Sequence, residues 1–337
     1  MNVLLTGGMG YIGSHVALSL LNKHHKVVII DNLSNSDASV LDRICSIEKN
    51  DLIFIPGDIL DTALVEETIG KNEIDAVIHL AGLKAVGEST VDPLKYYNNN
   101  VVGTISLVQA MLHNDIGNIV FSSSATVYGN PQYLPIDESH PTQPHNPYGN
   151  SKLFIENILN DVAKSNKNWN VVNLRYFNPV GSHKSGLIGD NPKGIPNNLM
   201  PFIDRVASQD QPILKIFGND YDTPDGTGIR DYIHIEDLSE AHVLSLNLLS
   251  SNKHESPDNT YTFNLGTGKG YSVMEIVSTY QSVNNISIPY EIVSRREGDI
   301  ACCYADPTRA NSILNWKAKR TLEDMCSSSW NYKKLNL

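Results

Sequence analysis

The stretch TGGMGYIG, residues 6–13, decides the fold. Gly7, Gly10 and Gly13 recur at every third position, preceded by the apolar run VLLT (3–6) and succeeded by the helix-like run HVALSLLNK. Glycines in that place permit a tight turn and let a phosphate approach the backbone. The helix N-terminus behind them presents amide donors and positive potential. Alone the turn says little, since glycine is common in any turn. The next strand supplies the context.

VVIID (27–31) reads as that second strand, and it ends on Asp31, 18 residues after Gly13. The spacing suits an acid holding an adenosine ribose. No arginine stands at 32–36 to take a 2′-phosphate, so the expected cofactor is NAD rather than NADP. Asp58, at the end of LIFIPGD (52–58), is placed to receive the adenine amino group. AVIHLAG (76–82), NIVFSSS (118–124) and VVNLRYF (171–177) continue the alternation of apolar strands with helical stretches. Strands apolar on both faces imply a buried parallel sheet. The predicted fold class is therefore α/β: a Rossmann-type doubly wound parallel sheet with a smaller mixed α/β C-terminal substrate region. We expect an NAD-binding domain over 1–180, with some later elements returning to it, and a mainly substrate-binding region over 181–337. Residues 182–197 and 218–230 read as long loops, and 261–280 as strand, loop, helix. Ligand is expected where the two regions meet.

Composition removes other classes. The 337 residues are 41% hydrophobic and 19% charged, with a net charge of −11, which is unsuited to general nucleic-acid binding. An anionic small molecule would need locally placed arginines or helix N-termini. No run approaches a membrane span, and MNVLLTGGMG lacks the features of a secretory leader, so the expectation is cytoplasmic. Cys45, Cys302, Cys303 and Cys326 show no zinc spacing and read as reduced thiols, and no metal is expected. GxSxG, HExxH and a complete Walker A pattern are absent, which argues against a hydrolase.

HNPYGNSK (145–152) carries the chemistry. Asn146 can cap a helix whose first turn holds Pro147, and Tyr148 and Lys152 then share one face as i and i+4. Bringing a phenol from about 10 to about 7 takes about 4 kcal/mol, and one cation ~4 Å away at moderate dielectric supplies that much. The lysine thereby makes the tyrosine a general base. Ser122, Ser123 and Ser124 end a central strand, where an open α/β sheet holds its ligands. A hydroxyl there can relay a substrate proton to Tyr148.

Together, TGGMGYIGSH, DNLSNS, HLAGLKAVGES, YYNNN, FSSSATVYG, PYGNSK, LRYFNPVG, GIPNNLMP, IFGNDY, DGTGIRDYIH and RREGD resemble the UDP-glucose 4-epimerases of the extended short-chain dehydrogenase/reductase family, in order over residues 5 to 299. The resemblance implies that NAD stays bound and that Tyr148 takes the sugar O4 proton as hydride leaves C4. The 4-keto sugar then turns over and hydride returns to its other face. It implies that Ser124 bridges O4 and Tyr148, and that Lys152 holds the nicotinamide ribose. NAD contacts implied by it are Tyr11, Ile12, Asn32, Asn35, Ile59, Leu80, Ala81, Gly82, Lys84, Asn99, Ser122 and Phe177, beside the residues already named. Implied substrate contacts are Lys84, Asn178, Asn198, Leu199, Lys215, Ile216, Phe217, Arg230, Arg296, Asp299 and Cys303. Forked donors at Arg230 and Arg296 suit a diphosphate.

One departure bears on specificity. Cys303 stands where glucose-restricted relatives resemble one another in carrying tyrosine, and a smaller side chain leaves room for an acetamido group. UDP-N-acetylglucosamine and UDP-N-acetylgalactosamine are thus expected substrates beside UDP-glucose and UDP-galactose. A sugar-nucleotide 4,6-dehydratase or decarboxylase would resemble this chain too, but Ala125 and Thr126 stand where those relatives carry acids. A non-catalytic NAD-sensing protein would have no use for the Tyr148–Lys152 pair. Two helices, predicted over 94–114 and 148–165, are apolar on more than one face, as in relatives that pair as two-fold homodimers.

Overall fold

β-branched and aliphatic side chains dominate the first strands on both faces, so those strands are stable only when helices cover each side. The computed structural model describes residues 1–49, 51–194, 196, 198–251, 258–296 and 298–337. Of the residues in the sequence motifs, Ile195, Asn197 and Glu297 lie outside the described residues. In chain order the strands are β1 (Asn2–Thr6), β2 (Lys26–Asp31), β3 (Leu52–Pro56), β4 (Ala76–His79), β5 (Asn118–Ser124), β6 (Asn170–Tyr176), β7 (Asn178–Val180), β8 (Leu214–Phe217), β9 (Ile229–His234), β10 (Thr260–Leu265), β11 (Gly270–Ser272), β12 (Tyr290–Val293) and β13 (Cys302–Cys303).

A seven-stranded sheet has the order β10-β6-β5-β4-β1-β2-β3, with the pairs from β3 across to β6 parallel. Strand order reverses between β1 and β4, which places the ligand-binding switch point at their carboxyl ends. The core joins Leu4, Val28, Val77 and Phe121 of the sheet to Val65 and Ile69 of helix Thr62–Lys71, Leu107 and Met111 of helix Gly103–His113, and Ile155 and Leu159 of helix Pro147–Ser165. Each such side chain contributes about 1.5–3 kcal/mol relative to exposure.

The chain divides into two compact units. The first holds Met1–Gly129, Pro141–Tyr176 and Ser239–Phe263, and the second holds Asn130–His140, Phe177–Leu238 and Asn264–Leu337. In the second, β11-β9-β13 and β7 form one small sheet, and β8 pairs parallel with β12. Its core gathers Met200, Ile203, Ile216, Ile276, Tyr280 and Met325.

The predicted strands and the Pro147–Ser165 helix appear as expected, the latter with the Asn146 side chain accepting from Gly149 N at 2.8 Å. The helix expected over 94–114 is interrupted. Helix Pro93–Tyr96 runs into a π-helical turn, Tyr97–Val102, before Gly103–His113 begins. The wider turn carries Asn100 into the protein, where it bonds both backbone groups of Leu83, a long-range demand that helical periodicity does not register. The strand predicted to reach Phe177 stops at Tyr176, and Asn178–Val180 pairs instead with β9.

Candidate active site

The glycine turn closes on itself. Gly7 N bonds Ile30 O at 2.8 Å, Gly10 N bonds Gly7 O at 3.2 Å, and helix Tyr11–Leu21 starts at once, carrying Tyr11 and Ile12 in its first turn. A Cβ on Gly13 would lie 2.2 Å from Gly7 O, so the fold itself forbids a side chain there. Gly10 differs. Its φ of −74° suits any residue, and a Cβ would meet only Gly7 O, at 3.4 Å. Nothing in the protein requires glycine at 10, whereas a phosphate approaching the helix end does. That end has no side-chain cap and no acid in its first turn.

Asp31, at the end of β2, accepts from Met9 N at 3.0 Å, Leu33 N at 2.8 Å and Ser36 Oγ at 2.9 Å. A carboxylate offers about four acceptor sites, so one remains for a ribose hydroxyl. Asn32 Nδ2 donates to Asp58 Oδ2 at 2.8 Å, tying the ends of β2 and β3 together, and Asn35 is exposed just beyond. The residues present thus fit a dinucleotide. Ile59 is 5% exposed and packs into the core, so only its backbone can reach a ligand.

β4 ends in the loop Leu80–Lys84, which passes close to Lys152: a Cβ on Gly82 would lie 3.7 Å from Lys152 Nζ. Asn99 lies beside it in the π turn and donates to Asn100 Oδ1 at 2.9 Å. His79 is buried between Thr6 Oγ1, at 2.7 Å from Nδ1, and Thr104 Oγ1, at 2.9 Å from Nε2. Thr104 gives its own proton to Asn100 O, so His79 donates from Nε2 and accepts at Nδ1. Burial first, then Lys152, push its pKa down to about 3, leaving it a neutral structural link.

The three serines of β5 separate by strand alternation. Ser123 Oγ donates to Glu156, a carboxylate that also takes Arg175 Nε at 3.0 Å and Nη2 at 2.6 Å, both partners being buried. Ser122 supplies its carbonyl to Lys152 Nζ at 2.7 Å. Ser124 alone reaches Tyr148. Its Oγ accepts from Thr126 N at 3.2 Å and Thr126 Oγ1 at 2.9 Å, so its single proton is left to donate to the phenol.

The electrostatics differ from the sequence expectation. Shielding of the Tyr148 phenol raises its pKa, and the Ser124 bond only partly offsets this. Lys152 Nζ is drawn to Ser122 O and sits 6.0 Å from the Tyr148 ring centroid and 4.9 Å from that of Phe121. Burial also pulls Lys152 down to about 8, with Glu156 opposing. The direction of the Tyr148 shift is set by burial, and Lys152 does not reverse it. Burial, which spacing does not reveal, outweighs it.

In the second unit Asn178 lies on β7, opposite Tyr232. Arg230 on β9 is in register with Cys303 on β13. Asp299 pairs with Arg296 Nε at 2.9 Å and stands 3.8 Å from Arg230 Nη2, which leaves one net positive charge among the three for an anion. The Arg296 guanidinium lies 4.7 Å above the Phe217 ring centroid. Along β8, Lys215 and Phe217 are exposed while Ile216 points into the core, so Ile216 can offer only its backbone. Asn198 precedes helix Leu199–Ala207 without capping it, and Leu199 packs partly on the core. Burial pushes the Cys303 thiol up to about 12. A cavity of about 570 Å³ runs between Asn130–Leu134 and Gly298–Cys302, and it is Cys302 rather than Cys303 that lines it. Among the described residues no cluster of His, Cys, Asp and Glu could hold a metal, and no helix is long and apolar enough to cross a membrane. Sequence reading quoted Tyr96, Glu88, Asn100 and Arg175 within motifs but assigned no role to them or to Glu156. Beyond motif membership, the signal in the chain was a charged or polar residue set among apolar neighbours.

Residues 4–329 match the family model described as GDP-mannose 4,6 dehydratase. The UDP-glucose 4-epimerase of Pasteurella multocida is 51% identical over 337 residues, spanning 100% of this chain and 98% of that protein. The structure of UDP-glucose-4-epimerase from Stenotrophomonas maltophila, with bound NAD and formylated UDP-arabinopyranose, is similar with a TM-score of 0.96 and 46% identity, over 100% of this chain and 98% of that one. That of UDP-glucose 4-epimerase from Bifidobacterium longum, in complex with NAD+ and UDP, has a TM-score of 0.94 and 48% identity, over 100% and 99%. With full-length identity near one half and the same fold throughout, the chain belongs to the UDP-glucose 4-epimerase family of extended short-chain dehydrogenases/reductases.

Proposed function

We infer that this chain is an isomerase that inverts C4 of UDP-hexoses, interconverting UDP-glucose and UDP-galactose through a 4-keto sugar with NAD as its cofactor. The observation that carries the reading is that helix Pro147–Ser165 brings Lys152, one turn after Tyr148, onto the carboxyl end of β5, where its Nζ donates to Ser122 O at 2.7 Å. Bound NAD would supply reversible hydride acceptance at C4 and a positive charge near the phenol. Tyr148 takes the O4 proton and later returns it. Ser124 steadies the phenolate with its one free proton. Lys152 uses one of three donors on Ser122 O and keeps two for ribose hydroxyls. Gly10 leaves room for the pyrophosphate, Asp31 takes the adenosine ribose, and Arg230 and Arg296 hold the UDP diphosphate. Purified protein given UDP-galactose should yield UDP-glucose with no net change in NAD redox state, and absence of UDP-glucose would refute the reading.

The reading extends to the N-acetylated UDP-hexoses. Cys303 is smaller than tyrosine and stands in register with Arg230. A four-substrate assay at equal concentrations tests it, and activity confined to the plain sugars would refute it. We also read a two-fold homodimer. Val102, Ile105 and Leu112 are exposed along one helix run, and Phe154, stacked at 5.9 Å on Tyr97, is exposed on the other. A monomeric mass by sedimentation would refute the dimer. The four cysteines stand free, which fits a reducing compartment, and we place the protein in the cytoplasm, to be checked by fractionation.

A further inference from the structure

We propose that Tyr96 is a positioning residue that, with Asn100, clamps the backbone on both sides of Lys84. The proposal rests on the epimerase reading, in which Lys84 touches cofactor and sugar. On one side, Asn100 takes Leu83 N–H at 2.8 Å and gives Nδ2 to Leu83 O at 3.0 Å. On the other, the Tyr96 hydroxyl accepts from Ala85 N at 3.0 Å and donates to Glu88 Oε2 at 2.9 Å. Lys95 Nζ holds the second Glu88 oxygen at 2.6 Å. The Tyr96 ring is wholly buried, whereas Lys84 is exposed, so an exposed side chain is carried on a backbone pinned from below. Both clamping side chains come from the stretch that includes the π turn, and Asn100 Nδ2 also donates to the Oγ of Ser151, next to Lys152, at 3.1 Å. The loop, the π turn and the catalytic helix are thereby tied to one another. A Tyr96 hydroxyl that served stability alone would have no reason to be coupled to Lys84.

The test is a double-mutant cycle. Tyr96→Phe keeps the ring and removes only the oxygen. It should lower kcat/KM for UDP-galactose about tenfold, as loss of orientation does, and speed release of NAD from the holoenzyme. Lys84→Met should do likewise. In the Lys84→Met background, adding Tyr96→Phe should change either quantity by no more than about twofold. Additive losses would overturn the proposal. Glu88→Gln, which keeps an acceptor for the phenol, should retain more activity than Glu88→Ala, and equal losses would count against the clamp. Both Glu88 changes are made at a partly exposed site, so they remain informative should Tyr96→Phe fold poorly. If the wild-type protein binds NAD without epimerising, the epimerase reading fails, yet the coupling in NAD release still decides the clamp.

Discussion

Changing Gly10 and Gly13 to alanine, one at a time, should separate folding from cofactor binding. At Gly13 the new Cβ would sit 2.2 Å from Gly7 O and 2.6 Å from Gly8 Cα, and neither backbone atom can swing aside. Overpacking costs about 1–3 kcal/mol, and a backbone collision belongs at the upper end. At roughly 2–4 °C per kcal/mol for large domains, Gly13→Ala should melt about 6–12 °C lower. At Gly10 the Cβ would meet a single atom at 3.4 Å, and the backbone angles suit alanine. Loss of a glycine N-cap costs about 1 kcal/mol or less, so the ligand-free melting point should move by about 4 °C at most. The methyl group would, however, hold a phosphate away from the amides of the helix N-terminus. Losing one charge-assisted hydrogen bond, worth about 1.5–3 kcal/mol, weakens binding about 10- to 100-fold. Thermal melts with and without added NAD read both effects, because a ligand stabilises the folded state according to how tightly it binds. Gly10→Ala should melt normally when free and lose most of the NAD-induced rise. If it keeps the full rise, or if Gly13→Ala melts like the wild type, the steric reasoning is wrong.

The same geometry sets other outcomes. Tyr148→Phe should lower kcat about 10²- to 10⁴-fold while NAD remains bound, measured by the UDP-galactose assay. In the ligand-free protein the Lys152 pKa, about 8, lies below its ordinary 10.5, so between those values the unfolded chain binds more protons and this group's contribution to stability rises with pH. Lys152→Met should therefore compare best with wild type at neutral pH and lose that advantage by about pH 10 in urea melts. Glu156→Ala leaves Arg175 buried without its bidentate partner and should cost about 3–5 kcal/mol in urea unfolding. Cys303→Tyr should abolish activity on the N-acetylated sugars and spare the plain ones.

What the chain alone determined are features in which neighbours in sequence are neighbours in space. The glycine turn between strand and helix, Asp31 at the end of β2, and the capped helix that puts Tyr148 and Lys152 on one face all depend on spacings of a few residues or on one strand–helix–strand unit. The alternation of apolar strands and helices likewise fixes the doubly wound sheet, because a strand apolar on both faces must be covered on both. Tertiary structure decided the rest. Ser122, Ser123 and Ser124 are alike as letters, and only the packing of helix Pro147–Ser165 on β5 assigns them to Lys152, Glu156 and Tyr148 respectively. The sign of the Tyr148 shift reversed because burial depends on everything that surrounds a phenol, whereas i, i+4 spacing counts one neighbour. Ile59 and Ile216 put their side chains into the core for the same reason, leaving their backbone to meet a ligand. The π turn exists because Asn100 must reach Leu83, a bond between residues 17 apart whose energy no local propensity contains.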